Sequence, residues 1–227
     1  MFDDILFDLD GTLTDPKIGI TSSVQYALQA FGIDEPDLDK LEPFIGPPLT
    51  DSFIEFYHFT PEQAKQAVEK YRERFDKQGI YENVLYEGID KMLSALKQSG
   101  KTLAIASSKP TPLVIRVLEY FQIGQYFDYI VGSEFDGRRS KKEEVVEEAL
   151  RLMLPLGLSL QERRERVAMV GDRKFDVEGA KAFGLTAIGV SYGYASEGEL
   201  EAAGADYIAD TVSELEQLLM SGKRGVK

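Results

Sequence analysis

Apolar residues fall along this chain in two alternating rhythms. Short runs rich in Ile, Val, Leu and Ala at residues 5–8, 102–107, 129–132, 167–171, 187–190 and, more weakly, 207–209 read as strands. Between them, apolar positions recur at helical spacing over 89–98, 113–121, 142–154, 176–183, 198–203 and 212–220. Gly100, Gly157 and Gly184 follow or lie near these helical runs, where a C-terminal stop is expected. Strands alternating with helices predict βα units around a parallel sheet, an α/β core of the Rossmann-like kind.

The rhythm breaks after the first strand. From about residue 14 to 84 there is no convincing strand, only helix-like stretches at 18–31, 50–59 and 61–78. The cluster Pro43-Phe44-Ile45-Gly46-Pro47-Pro48 separates two of them. This predicts an inserted α-helical cap domain, residues 15–84, on a core made of 1–14 and 85–227, with hinges near 14–17 and 79–88. Tyr26, Phe44, Phe53, Phe56, Tyr57 and Tyr71 recur at helical spacing and are expected to form the cap's own core. His58, inside Phe56-Tyr57-His58-Phe59, reads as a packing or surface residue. Residues 221–227 are small and basic, as expected of a frayed tail.

Composition narrows the chemistry. The chain's 227 residues are 43% hydrophobic, enough for a sizeable core. There is no Cys and one His, which excludes thiolate nucleophiles, disulfides, Cys-ligated zinc, and any Ser-His-Asp triad not built on His58. A bound metal would have to be a hard cation held by oxygen. The net charge of −13 argues against a nucleic-acid polymer as partner. No run approaches the roughly 20 apolar residues of a membrane span, and the N-terminus lacks a basic signal-peptide region. A soluble, cytoplasmic protein with no membrane partner, monomeric or homodimeric, is the expectation.

Candidate chemistry gathers at strand ends. Asp8 and Asp10, in Phe7-Asp8-Leu9-Asp10-Gly11-Thr12, share one side of the first strand where it stops, and Gly11 permits a tight turn. That is the carboxyl edge at which open α/β sheets bind ligands. Val167-Ala168-Met169-Val170-Gly171-Asp172 is another apolar strand with an acidic end. Asp176 follows in the first turn of the next helix, where it can reach back or simply complement the helix dipole. Asp8, Asp10 and Asp172 supply the oxygens an octahedral Mg²⁺ prefers. Ser107 and Ser108 place hydroxyls at the same edge, and Lys141 or Lys142, in the densest basic cluster, would neutralise a phosphate. Asp8 is then a coherent nucleophile toward phosphorus, with Asp10 protonating the leaving oxygen and later activating water.

Asp8-Leu9-Asp10-Gly11-Thr12, Ser107, the Lys141/Lys142 pair and Gly171-Asp172…Asp176 together resemble the four motifs of the haloacid dehalogenase-like hydrolase superfamily, in order and over residues 2–220. The position of the insertion resembles the subfamily with a helical cap. Asp8–Lys17, Gly46-Pro47-Pro48-Leu49 and Leu85-Tyr86-Glu87-Gly88 are most similar to its phosphoglycolate phosphatase and 5′-nucleotidase-like branch. The resemblance implies Asp8 as nucleophile and metal ligand, and Asp10 as acid/base and ligand through its backbone carbonyl. It implies Asp172 as a further ligand, Asp176 in support of the metal, and Ser107 with the lysine on the phosphoryl group. Lys142 is preferred because it starts the amphipathic helix, with Lys141 as the fallback. Lys17, beside the first hinge, is a candidate substrate contact. Ser108 stands where the glycolate-phosphatase pattern often has Asn, which weakens that substrate.

The expected function is a Mg²⁺-dependent phosphatase acting through a phosphoaspartate on a small phosphomonoester, of the phosphoglycolate or nucleoside 5′-monophosphate type, with the cap gating the site. The rivals are a phosphomutase of the β-phosphoglucomutase kind, with the same core residues, and a non-enzymatic phospho-accepting or binding protein.

Overall fold

The computed structural model describes residues 2–153 and 159–221. Along the chain come β1 (Asp4–Phe7), β2 (Thr14–Asp15), α1 (Lys17–Ala30), α2 (Leu49–Tyr57), α3 (Pro61–Phe75) and β3 (Val84–Leu85). Then follow α4 (Ile89–Gln98), β4 (Thr102–Pro110), α5 (Thr111–Tyr120), β5 (Tyr129–Ser133) and α6 (Lys142–Met153). The last elements are α7 (Leu160–Arg166), β6 (Val167–Gly171), α8 (Lys174–Ala182), β7 (Thr186–Val190), α9 (Glu199–Ala203), β8 (Tyr207–Ala209) and α10 (Val212–Ser221).

Six strands form one parallel sheet in the order β5-β4-β1-β6-β7-β8. The strand order reverses at β1, whose neighbours are β4 on one side and β6 on the other. Register makes the ends coincide: Phe7 pairs with Ile105 and with Val170, so Asp8, Ser107 and Asp172 all emerge at the same carboxyl edge. Such a reversal opens a crevice between diverging loops. All four residues of β1 and all five of β6 are buried, as expected for strands covered on both faces. On one face, Leu6 and Met169 of the sheet pack with Val145, Val146 and Ala149 of α6 and Val177 and Ala180 of α8. Each fully buried Leu, Val or Met in this layer contributes about 1.5–3 kcal/mol, so the layer anchors the strand ends that carry the site.

By contacts the chain divides into two units, Met1–Leu13 with Leu85–Lys227, and Thr14–Val84. The second is helical. A 3₁₀ helix, Leu38–Phe44, joins α1 to the segment before α2, and the short strands β2 and β3 pair with each other, where the sequence suggested no strand. Thr60 and Gln63 form a capping box that starts α3, with Pro61 in its first turn. Phe44 packs edge-on against Phe53 and Phe56, and Phe53 stacks on Phe59. Tyr26 and Phe56, expected in this core, are instead 41% and 39% exposed, because helical spacing marks a face without saying how far its cover extends. His58 is exposed and ends α2 in the left-handed region.

Helix α7 was not anticipated from apolar periodicity, since it reads Leu-Gln-Glu-Arg-Arg-Glu-Arg and buries nothing; its signal is the Ser159/Glu162 capping box. Strand β4 runs three residues past its expected end, and α5 and α8 each begin two residues early. Leu154, the stop expected at Gly157 and the tail from 222 onward lie outside the described residues. Among the described residues no helix is long and apolar enough to cross a membrane.

Candidate active site

The chain turns sharply where β1 stops. Asp8 donates its N–H to the Val170 carbonyl at 2.9 Å, which holds it between the two neighbouring strands, and Leu13 donates back to Leu9 at 2.9 Å. Gly11 sits at φ +84°, and any Cβ there would collide with the Asp172 carboxylate. This turn therefore demands glycine for its backbone angle and for the acid pressed against it.

Lys142, at the start of α6, is buried and its ammonium lies 2.8 Å from Asp8 Oδ1 and 2.7 Å from Asp176 Oδ1. It also donates to the Ala106 carbonyl at 3.0 Å. Lys141, one residue before α6 begins, is exposed. Burial pulls the Lys142 pKa down, but Asp176 and Asp8 outweigh it and hold the ammonium charged beyond the usual lysine range. Asp176 reaches this cluster from the first turn of α8, and its second oxygen accepts the Arg173 N–H at 3.1 Å.

Asp172 is fully buried and fixed from two loops. The Thr12 hydroxyl donates to its Oδ1 at 3.1 Å, and the Tyr194 N–H donates to its Oδ2 at 2.9 Å. Tyr192 in turn donates its hydroxyl to the Thr12 carbonyl at 3.0 Å. One oxygen from each of Asp8, Asp172 and Asp176 lies within 4.8 Å of the others. Burial, with Asp176 and Asp8 beside it, pushes the Asp172 pKa well above the carboxylate range.

The Asp10 carboxylate stands apart from this trio. Both its oxygens are engaged by the buried ammonium of Lys109, although burial still raises its pKa. Ser107 is buried and its hydroxyl accepts from the Lys109 backbone N–H at 3.4 Å, while Ser108 is half-buried and lends its carbonyl to the Ser133 hydroxyl at 2.7 Å. Lys17 belongs to the helical unit, where it is ion-paired with Asp39 at 2.7 Å and with Glu42. Lys109, Thr12, Tyr192 and Tyr194 are the neighbours that sequence reasoning did not single out. Lys109 carried one available signal, its place two residues after Ser107 on the same strand end.

The charge balance of this edge fits a hard cation. Four buried carboxyl groups, Asp8, Asp10, Asp172 and Asp176, face two lysines, so without a cation the balance must be made by protons, the direction in which burial shifts Asp10, Asp172 and Asp176. Asp8 Oδ1 and Asp176 Oδ1 have the Lys142 ammonium at 2.8 and 2.7 Å and no further hydrogen-bond donor. Carboxylate oxygens converging in a buried site are the donor set that Mg²⁺ prefers.

This arrangement makes a pH-dependent prediction. Burial raises Asp176 to about 6, outweighing the pull of Lys142 and helped by Asp8. In metal-free protein the native state then keeps a proton that the unfolded chain has released. Between the ordinary value of 3.8 and about 6, this group's contribution to stability falls as pH rises. A cation needs the ionised form and competes with that proton. Added Mg²⁺ at a hundredfold excess over its Kd should stabilise the fold by about 2.7 kcal/mol near pH 8, and by progressively less below about pH 6. Thermal melts in Mg²⁺ and in EDTA across this range check it; a gain independent of pH would contradict the assignment.

Three comparisons with known proteins bear on the site. Residues 5–190 match the family model described as haloacid dehalogenase-like hydrolase. A 5′-nucleotidase of Pseudomonas aeruginosa is 46% identical over 220 residues, 97% of this chain and 96% of that protein. The tyrosine-protein kinase PtkA of Mycobacterium tuberculosis is 36% identical over 95% of this chain and 72% of its own length. Among solved structures, a predicted phosphatase from Clostridium acetobutylicum matches with a TM-score of 0.90 at 44% identity, covering 97% of this chain and 99% of that one.

Proposed function

This chain belongs to the haloacid dehalogenase-like hydrolase family, and from that premise we propose that it is a Mg²⁺-dependent phosphatase that cleaves nucleoside 5′-monophosphates through a phosphoaspartate on Asp8. The observation that carries the reading is the Asp8 carboxylate at the end of β1, buried beside Lys142, with Asp172 and Asp176 converging on it.

In the first half-reaction an Asp8 oxygen attacks phosphorus and the ester oxygen leaves, taking a proton from the Asp10 carboxyl. In the second, Asp10 removes a proton from water, the water oxygen attacks the phosphoaspartate, and inorganic phosphate and free Asp8 are restored. Splitting the displacement in two lowers each barrier. Lys142 and the Ser107 hydroxyl hold the phosphoryl oxygens against Asp8, whose negative charge would otherwise repel them. Asp8, Asp172 and Asp176, with the backbone carbonyl of Asp10, would hold Mg²⁺, which supplies Lewis-acid stabilisation of the transferring phosphoryl group. Thr12, Tyr192 and Tyr194 keep Asp172 oriented for that task.

The nucleotide class rests on the similarity to the Pseudomonas 5′-nucleotidase, and Ser108 in place of the Asn of the glycolate pattern points the same way. Phosphate release from nucleoside 5′-monophosphates, phosphoglycolate and a hexose 1-phosphate, each in Mg²⁺ and in EDTA, is the test. The nucleotides should lead phosphoglycolate by about tenfold or more in kcat/KM, and EDTA should abolish release. Phosphoglycolate in the lead would replace the substrate class. Conversion of the sugar phosphate to its isomer with no free phosphate would replace hydrolysis by a mutase reaction.

A further inference from the structure

Lys109 is held in place as firmly as the residues already assigned. It lies where β4 slips register against β5, between Ala106 and Pro110. That irregularity is pinned from the β5 side: Ser133 donates to the Ser108 carbonyl at 2.7 Å, and Gly132 donates to the Thr111 hydroxyl at 3.0 Å. Gly132 must lack a side chain, because a Cβ there would run into the Lys109 carbonyl and the Thr111 backbone. From this fixed base the Lys109 side chain, 7% exposed, reaches both oxygens of Asp10, itself 11% exposed.

The pairing creates a conflict with the chemistry. An acid/base whose two oxygens both face an ammonium is badly placed to give a proton to a leaving oxygen or take one from water. The pair must therefore open during the reaction, and separating two buried opposite charges is costly unless each finds a replacement. A phosphoryl dianion arriving at Lys142 and at Ser107, which shares the end of β4 with Lys109, offers the ammonium a more highly charged partner than one carboxylate.

We propose that Lys109 is an exchangeable counterion: it holds the Asp10 carboxylate in the resting enzyme, moves to a phosphoryl oxygen of the bound substrate, and so frees Asp10 to take up a proton from solvent and pass it to the leaving oxygen. This rests on the phosphatase reading of the same site. It makes Lys109 a second phosphate-binding cation beside Lys142, and it makes Asp10 and the substrate competitors for one ammonium.

Competition gives a test independent of turnover. Inorganic phosphate is titrated calorimetrically into Mg²⁺-loaded wild type, Asp10→Asn, Lys109→Met and the double variant. Asp10→Asn, although unable to turn over, should bind phosphate about fivefold or more tighter than wild type, because the ammonium no longer has a rival. In the Lys109→Met background the same Asp10→Asn change should alter affinity by less than about twofold. Lys109→Arg, which keeps the charge and guards against loss of the fold in Lys109→Met, should preserve the tightening. With esters, Lys109→Met should raise KM more than it lowers kcat. No tightening in Asp10→Asn overturns the proposal, as does tightening that persists without Lys109, which would be a general effect of removing a negative charge. A wild-type protein that neither binds phosphate nor releases it from any ester would overturn the phosphatase reading itself.

Discussion

Asp8→Asn should lower kcat for every phosphomonoester by about a thousandfold or more, while the folded state is at least as stable as wild type. The loss follows from the absence of a substitute. Asp172 and Asp176 are anchored by hydrogen bonds from Thr12, Tyr194 and Arg173, and the Asp10 carboxylate stands apart from the Asp8 cluster, so no other carboxylate is delivered to phosphorus in place of Asp8. An amide oxygen is a far weaker nucleophile than a carboxylate, and no covalent intermediate would form. Stability should not fall, because the substitution removes one carboxylate from a buried cluster in which four carboxyl groups face two lysines, and the backbone hydrogen bond from residue 8 to Val170 survives. Phosphate release, trapping of the phosphorylated protein and a thermal melt in EDTA read the three parts. Residual activity within tenfold of wild type would end the nucleophile assignment.

Lys142→Met has the opposite profile, with both activity and fold compromised. Its ammonium is the cation within ion-pair reach of both Asp8 and Asp176. Removing one partner of a buried pair leaves the others uncompensated, at a cost of about 3–5 kcal/mol. Met fills a similar volume, so the packing of the lysine stem against Gly179 is kept and the loss reads the charge alone. Urea unfolding in EDTA at neutral pH measures it. Adding Asp8→Asn to the same chain should recover part of the loss, since the two sites share one network and their effects should not add. A Lys142→Met midpoint equal to wild type would mean that protons on the neighbouring carboxyls compensate the cluster without the lysine, and would overturn its role as their counterion.

How much of this was legible beforehand varies with the range of the interaction. The six core strands and the helices between them were readable from local periodicity, because a parallel strand buried on both faces must be an unbroken apolar run. Where such a run ends in Asp or Gly-Asp, the end must face an edge or a ligand, and so Asp8 and Asp172 stood out. Helix α7 escaped because it has no apolar face, and its only mark is a pair of capping residues three apart. The choice between Lys141 and Lys142 turned on helix phase: two adjacent residues at a helix start point in different directions, and only the packing of α6 against β4 decides which one is covered. Tyr26 and Phe56 show the same limit in the helical unit, where spacing defined a face and only packing defined its border.

Oxygen-rich, thiol-free chemistry at the carboxyl ends of particular strands follows from composition and strand pattern, which are properties of single segments. The tertiary structure alone decided which charges meet. Lys109 and Asp10 are 99 residues apart, and Thr12 and Asp172 are 160 apart. No local propensity joins such pairs. They meet because register aligns the ends of β4, β1 and β6 and because burial then leaves each carboxylate only the few partners within reach.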